Sequence, residues 1–260
     1  MPNVVKIIVN ADDLGITPEV NDAIFDLMGQ GKVTSATMIA NAPYIEDACR
    51  QIGRYGSCSF GVHLNIAEFK PLSEPEGIRQ LLNEDGTFAG YDRVRHAARN
   101  SGLADAVFLE FCAQIEMCRS AGVEISHIDS HQHVHTIPWI FPILKRVQKK
   151  FNIHRVRISK NLFGPREPVG LQLRLKKAAY NFLIRHYVQT ATTGAFADFR
   201  TFYECATASV LNNKTIEAMV HPGSIDYDWS KEETDLLLTH WEDQLRFPVE
   251  LINYNDLPPR

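Results

Sequence analysis

Two carboxylates, Asp12 and Asp13, stand side by side just after the apolar run at 6–10, within Asn10-Ala11-Asp12-Asp13-Leu14-Gly15. Buried neighbours of this kind raise each other's pKa unless a cation offsets them, and a divalent metal is such a cation. The same pair would also serve as a helix cap or a turn. Side chains alternate along extended backbone, so the two carboxylates need not point the same way. A second feature is the segment 127–135, His-Ile-Asp-Ser-His-Gln-His-Val-His, which holds four of the ten histidines and also Asp129. Neutral imidazole and carboxylate are suitable ligands for zinc and other first-row metals. The H-x-H spacing sets two rings on one face of a strand, so the segment could supply more than one ligand. The bland alternative is a set of surface or core histidines. His63, in Gly-Val-His-Leu-Asn, and His221, in His-Pro-Gly, also stand within or just after apolar runs.

These groups can act together only if distant segments bring them to one place. Short apolar or β-branched runs at 6–10, 33–39, 59–66, 124–129, 154–159, 216–220 and 249–254 read as strands. Helical spacing marks 18–28, where Thr17 is a good cap and Pro18 the first helical residue, and also 44–52, 103–118, 138–151 and 171–189. The helix at 171–189 has a basic face of Arg174, Lys176, Lys177 and Arg185, read as a solvated surface. Ser230 and Glu233 form a capping-box pattern for a last helix reaching Leu245. Strands alternating with helices make one domain over 1–260, an α/β fold of β/α-barrel type with seven or eight mostly parallel strands. An open doubly wound sheet is the alternative. No G-x-G-x-x-G or P-loop follows a strand, which weakens nucleotide-binding forms of it. In either fold the C-terminal strand ends converge on the active site. Residues 67–101 break the rhythm with Pro71, Pro75, Gly77, Gly86 and Gly90. They read either as a lid or binding loop or as a disordered surface loop.

Composition removes several functions. With 31 acidic and 27 basic residues the chain carries a net charge of -4, a poor match to nucleic acid. No apolar stretch is long enough to span a membrane, and the N-terminal residues lack the pattern of a signal peptide, so a cytoplasmic location is expected. Cys49, Cys58, Cys112, Cys118 and Cys205 show no C-x-x-C spacing and are odd in number. They read as small buried hydrophobes in a reducing compartment.

Taken in order, NADDLG, VTSATMIAN, GVHLNI and HIDSHQHVH resemble the YdjC-like carbohydrate deacetylases, a family that includes chitooligosaccharide deacetylases and a hopanoid-pathway member. The likeness runs over about residues 5–140 and returns at MVHPG and in the closing helix and strand; 67–101 and 160–215 are not diagnostic. It implies a deformed, TIM-like β/α barrel holding one divalent ion, Mg2+ or Zn2+. By similarity Asp13, His63 and His131 fall at the metal ligands, Asp12 at the catalytic base and His221 at a probable acid. Asp129 is a plausible partner for the second nitrogen of a metal-bound histidine, and His127, His133 and His135 either line the pocket or pack. The implied reaction is hydrolysis of an N-acetylated sugar of the N-acetylglucosamine type, mono- or oligosaccharide, releasing acetate. Asp12 would take a proton from water and His221 would give one to the departing amine. Trp139, Phe141, Tyr227 and Trp229 are candidates to stack on sugar rings. Another metal-dependent barrel hydrolase, an amidohydrolase or a phosphoesterase, is the rival enzyme. A glycan-binding module without turnover is the rival from another class. Homodimerisation is compatible with the sequence and not required by it. If the cysteines are structural, alkylating the exposed thiols should leave turnover intact while chelation abolishes it; the reverse pattern would point to a thiol nucleophile.

Overall fold

The computed structural model describes residues 4–165, 167–209, 211–225 and 228–258. Its strands are β1 (Val5–Leu14), β2 (Ser35–Met38), β3 (Ser59–Leu64), β4 (Ile125–Ser130), β5 (Ala195–Asp198), β6 (Thr215–Val220) and β7 (Val249–Leu251). Its α-helices are α1 (Pro18–Gly29), α2 (Ile45–Gln51), α3 (Pro75–Ile78), α4 (Tyr91–His96), α5 (Ser101–Ser120), α6 (Phe141–Phe151), α7 (Leu171–His186), α8 (Phe199–Ala208) and α9 (Ser230–Leu238). The sheet runs β4-β3-β2-β1-β6-β5, and every strand pairing is parallel. β1 is the axis. It pairs with β6 along one edge, and its other edge takes β7 at Val5–Ile7 and β2 from Asn10 onward. A strand buried on both sides needs apolar residues on both faces, and Ile7, Ile8 and Val9 are all fully buried.

The two edges of the sheet are joined by residues 154–162. Ile128 bridges Val156, Arg155 bridges Ala191, and the amides of Asn161 and Leu162 donate to the Phe196 carbonyl. The sheet thereby curls into a deformed TIM-like barrel. The strand expected at 154–159 is reduced to isolated bridges. Beyond Arg157 the ladder is interrupted, because the Ser159 amide donates to the Asn181 side chain on α7 instead of to a neighbouring strand.

Local signals explain most elements. Thr17 Oγ1 accepts from the Val20 amide, with Pro18 opening α1 as expected. Other expectations are corrected. The helix from 171 ends at His186, and the last helix ends at Leu238, followed by a short 3-10 turn at Trp241–Gln244 rather than continuing to Leu245. The final strand stops at Leu251. β5 and α8 were not anticipated: β5 is only four residues, two of them alanine, and offers little β-branched signal.

Residues 67–101 fold onto the barrel. Ile78, Leu81, Phe88 and Val94 are buried, and the Glu110 carboxylate of α5 accepts the amides of Leu72 and Ser73. The reading of this segment as a disordered loop is therefore overturned.

Gly61 on β3 exists for close approach. A Cβ there would lie 2.5 Å from the His127 ring, which is stacked at 3.5 Å on Tyr254. Gly61→Ala should cost about 1–3 kcal/mol and lower the melting temperature by several degrees. An unchanged melt would mean that the ring relaxes freely.

Candidate active site

The C-terminal ends of β1, β3, β4 and β6 surround a cavity of about 190 Å³ lined by Asp12, Asp13, His63, His131, His133, Met219, His221 and Trp229, among others. β1 carries both carboxylates into it. The register of β1 against β2 shifts between Ala11 and Leu14, and Asp13 has φ 70°, in the left-handed region. This irregularity cancels the strand's alternation, so both carboxyl groups face the cavity. Gln132 and His133, with φ 49° and 55°, make a second left-handed pair directly after His131. Left-handed non-glycine residues carry strain that the surrounding structure must overcome, and three of them border this cavity.

One ligand atom from each of Asp13, His63 and His131 lies within 4.8 Å of the others. His131 Nδ1 is 2.9 Å from Asp13 Oδ1, and His63 Nε2 is 3.4 Å from the same oxygen. His63 Nδ1 points away from the cavity to Asp129 Oδ1 at 2.6 Å. This bond fixes the ring and leaves Nε2 facing Asp13. Two imidazoles and a carboxylate from three elements, with the second ring nitrogen of one anchored to a carboxylate, fit a divalent metal. Asp12, His63 and Asp129 form a second such grouping, but Arg157 already engages both oxygens of Asp12 and Oδ2 of Asp129, whose Oδ1 is held by His63.

Arg157 was not among the expected site residues. Its side chain is fully buried and grips Asp12 with two hydrogen bonds, at 2.6 and 2.7 Å. It also approaches Asp129 Oδ2 at 2.7 Å and donates from Nε to Glu217 Oε1 at 2.7 Å. Thr37 joins the same network, donating to Asp12 and Asp129, and Asn10 donates to Asp12. Burial by itself would raise the Asp12 pKa. The Arg157 charge overcomes it, with His63 adding, and holds the carboxyl far below the usual range. For Glu217 burial prevails over Arg157, and its pKa is lifted to about 7. Burial opposes protonation of His131, yet Asp13 and Glu68 raise it to about 10, whereas burial leaves His221 below its ordinary value despite Asp13 and Asp12.

Ser230 and Glu233 are paired as expected but for another purpose. The N-terminal cap position of α9 is Trp229, whose side chain does not cap the helix. Ser230 Oγ instead donates to the His221 carbonyl at 2.6 Å, and Glu233 Oε2 accepts the His221 amide at 3.1 Å. α9 thus clamps the histidine from both backbone sides. Gly223, with φ 71°, packs so close to α1 that a Cβ would fall 2.7 Å from the Glu19 carbonyl. Of the remaining histidines, His133 lines the cavity, His127 stacks on Tyr254 below it, and His135 packs on Ser130. Trp229 lines the cavity edge-on to His221, at 5.5 Å. Trp139 is engaged elsewhere, with the Val94 carbonyl, Phe141 packs on Tyr180, and Tyr227 lies outside the described residues. Glu68, from the 67–101 segment, reaches His131 Nε2 at 3.2 Å and was not anticipated.

The barrel and the Asp-His set at its strand ends define a class, β/α-barrel proteins with a strand-end pocket whose carboxylate and imidazoles could hold a metal ion. The YdjC-like protein family matches residues 6–248, and the chain belongs to that family. A carbohydrate deacetylase of Halalkalibacterium halodurans is 34% identical over 221 residues, 85% of this chain and 86% of that one. One from Clostridium beijerinckii is 27% identical over 274 residues, covering 97% and 100%. The 35% identity to the carbohydrate deacetylase of Geobacillus stearothermophilus extends over 56% of this chain and 57% of that protein. Among solved structures, an Enterococcus faecalis protein provisionally described as a cellobiose-phosphate cleavage protein superposes with a TM-score of 0.77 at 22% identity. That match covers 96% of this chain and 98% of the other, and it shows the shared fold.

Removing Arg157 leaves three buried carboxyl groups without their cation. Arg157→Met should destabilise the protein by about 3–5 kcal/mol, measured by denaturant unfolding at neutral pH. A midpoint equal to wild type would count against this role.

Proposed function

We propose that this chain is a metal-dependent hydrolase that removes the acetyl group from N-acetylated sugars of the N-acetylglucosamine type, mono- or oligosaccharide, releasing acetate. The observation that carries the reading is the convergence of Asp13, His63 and His131 within 4.8 Å, with Asp12 and His221 beside them on one small cavity. The relatives named carbohydrate deacetylase supply the substrate class.

In this reading Asp13, His63 and His131 hold the ion, Mg2+ or Zn2+. Such an ion, when bound, lowers the pKa of water and polarises a carbonyl oxygen. Asp12 accepts a proton from the attacking water. Arg157 keeps it ionised and fixes its plane, so it is a weak base held in an exact orientation that favours transfer by geometry. The departing amine needs a proton, and His221, clamped by Ser230 and Glu233, supplies it. Because the His221 ring rests neutral, the proton that Asp12 takes from water must pass to His221 before His221 gives it to the amine; water then loses one proton, the amine gains one, and both side chains return to their starting state. Asp129 holds the His63 ring, and Trp229 offers an apolar wall to a sugar. We place the enzyme in the cytoplasm.

Acetate release from a panel of N-acetylated mono- and oligosaccharides, with and without EDTA, tests the reading. His63→Ala or His131→Ala should lower metal content at least about 10-fold. Asp12→Asn should keep the ion and lose roughly 10²–10⁴ in turnover. His221→Ala should also keep the ion, and its loss should shrink on an activated aryl acetate, whose leaving group needs no proton. Full metal content in both histidine variants, or wild-type turnover in Asp12→Asn, would overturn these assignments.

A further inference from the structure

α7 shows an apolar surface that the barrel does not use. Leu171, Leu175, Ala178 and Phe182 follow the spacing i, i+4, i+7, i+11, which places them in one stripe along the helix. Leu171, Leu175 and Phe182 are 72%, 61% and 60% exposed. The opposite side is the one anchored to the barrel. Ile184 is buried, Asn181 binds Ser159, and Tyr180 donates to the His135 carbonyl. The outward stripe therefore cannot be hidden by rolling the helix.

The charge around it is of one sign. No Asp or Glu occurs between Glu167 and Asp198, while Arg174, Lys176, Lys177 and Arg185 fall in the helix, on a chain whose net charge is -4. The two flanking carboxylates share Lys160, each at 3.0 Å from its ammonium, which offsets one of their two charges. Hollows of about 320 and 480 Å³ flank the helix and carry Arg174, Lys177 and Arg185, and Arg95, Lys176 and Lys177, with no carboxylate in either lining.

We propose that α7 docks this protein on an anionic lipid surface. The apolar stripe would enter the boundary between headgroups and acyl chains, and the exposed Arg174 and Lys176 would meet lipid phosphates. The charge pattern argues against a second copy as the occupant, because pairing two such stripes brings Arg174 and Arg185 toward the same groups of the partner with no acid in the helix to offset them. A helix of 16 residues lies on a bilayer rather than crossing it, and no helix among the described residues is long and apolar enough to span a membrane. This proposal stands apart from the catalytic reading.

Co-sedimentation of the full chain with vesicles of phosphatidylcholine alone, or mixed with phosphatidylglycerol, tests it. Half-maximal binding should need at least about tenfold less lipid for the anionic mixture, and added salt should erode that difference. The double variant Leu175→Ser, Phe182→Ser should bind at least about tenfold more weakly while keeping its melting temperature, since both residues are exposed. Replacing Lys176 with Gln should weaken binding about fivefold. Failure to pellet with anionic vesicles at low salt would overturn the proposal, as would undiminished binding by the serine variant. A concentration-dependent dimer that the serine variant abolishes, without lipid binding, would give the stripe to a second copy; capture by an acidic protein alone would likewise refute the lipid assignment.

Discussion

The site rests on one buried cation. Arg157 lies at the centre of the barrel and is shared by Asp12, Asp129 and Glu217. A guanidinium remains charged in such surroundings and offers several donors in a fixed plane, which lysine could not do. Its position also explains the closure of the barrel. The residues that join β4 to the β5 side carry it, so the irregular stretch 154–162 both closes the sheet and delivers the side chain that its interior requires. A stretch that must present an arginine inward and bind α7 through Ser159 keeps only part of a strand ladder.

One guanidinium does not neutralise all the carboxyl groups around it. Asp13 stands beyond its reach, held down to about 2 by His131 and His63 against the effect of burial. Glu217 is lifted to about 7 and so is only partly ionised at neutral pH, while Asp12 stays charged. The carboxylates on the cavity side are thus offset by histidines, His131 and His63 foremost, and not by Arg157 alone.

Part of the local backbone strain lies at the cavity. Asp13, Gln132 and His133 occupy left-handed backbone, and all three border the cavity. A straight β1 would turn one of its two carboxylates away. The clamp from α9 follows the same logic: Ser230 and Glu233 serve the chain at His221 instead of their own helix.

By itself the sequence determined the alternation of strands and helices and placed Asp12, Asp13, His63, His131 and His221 in or just after strands, because hydrophobic period and strand-end placement are local properties; it left barrel and open sheet both possible, and only the family resemblance singled out these five as one site. It also marked Ser230 and Glu233 as a pair, though as a helix cap. Tertiary structure decided what those local signals leave undetermined. Arg157 sits in a short run, HRVRIS, where alternation does not say which arginine turns inward, and its three carboxylate partners lie up to 145 residues away in sequence. His133 and His135 look equivalent in H-x-H spacing. Only the left-handed turn after His131 separates the one that faces the cavity from the one that packs behind it. Residues 67–101 have loop composition, yet the buried Glu110 and the core beneath Ile78 and Phe88 order them. In each case the deciding partner is remote in sequence, and burial makes its charge or hydrogen bond strong enough to override the local preference.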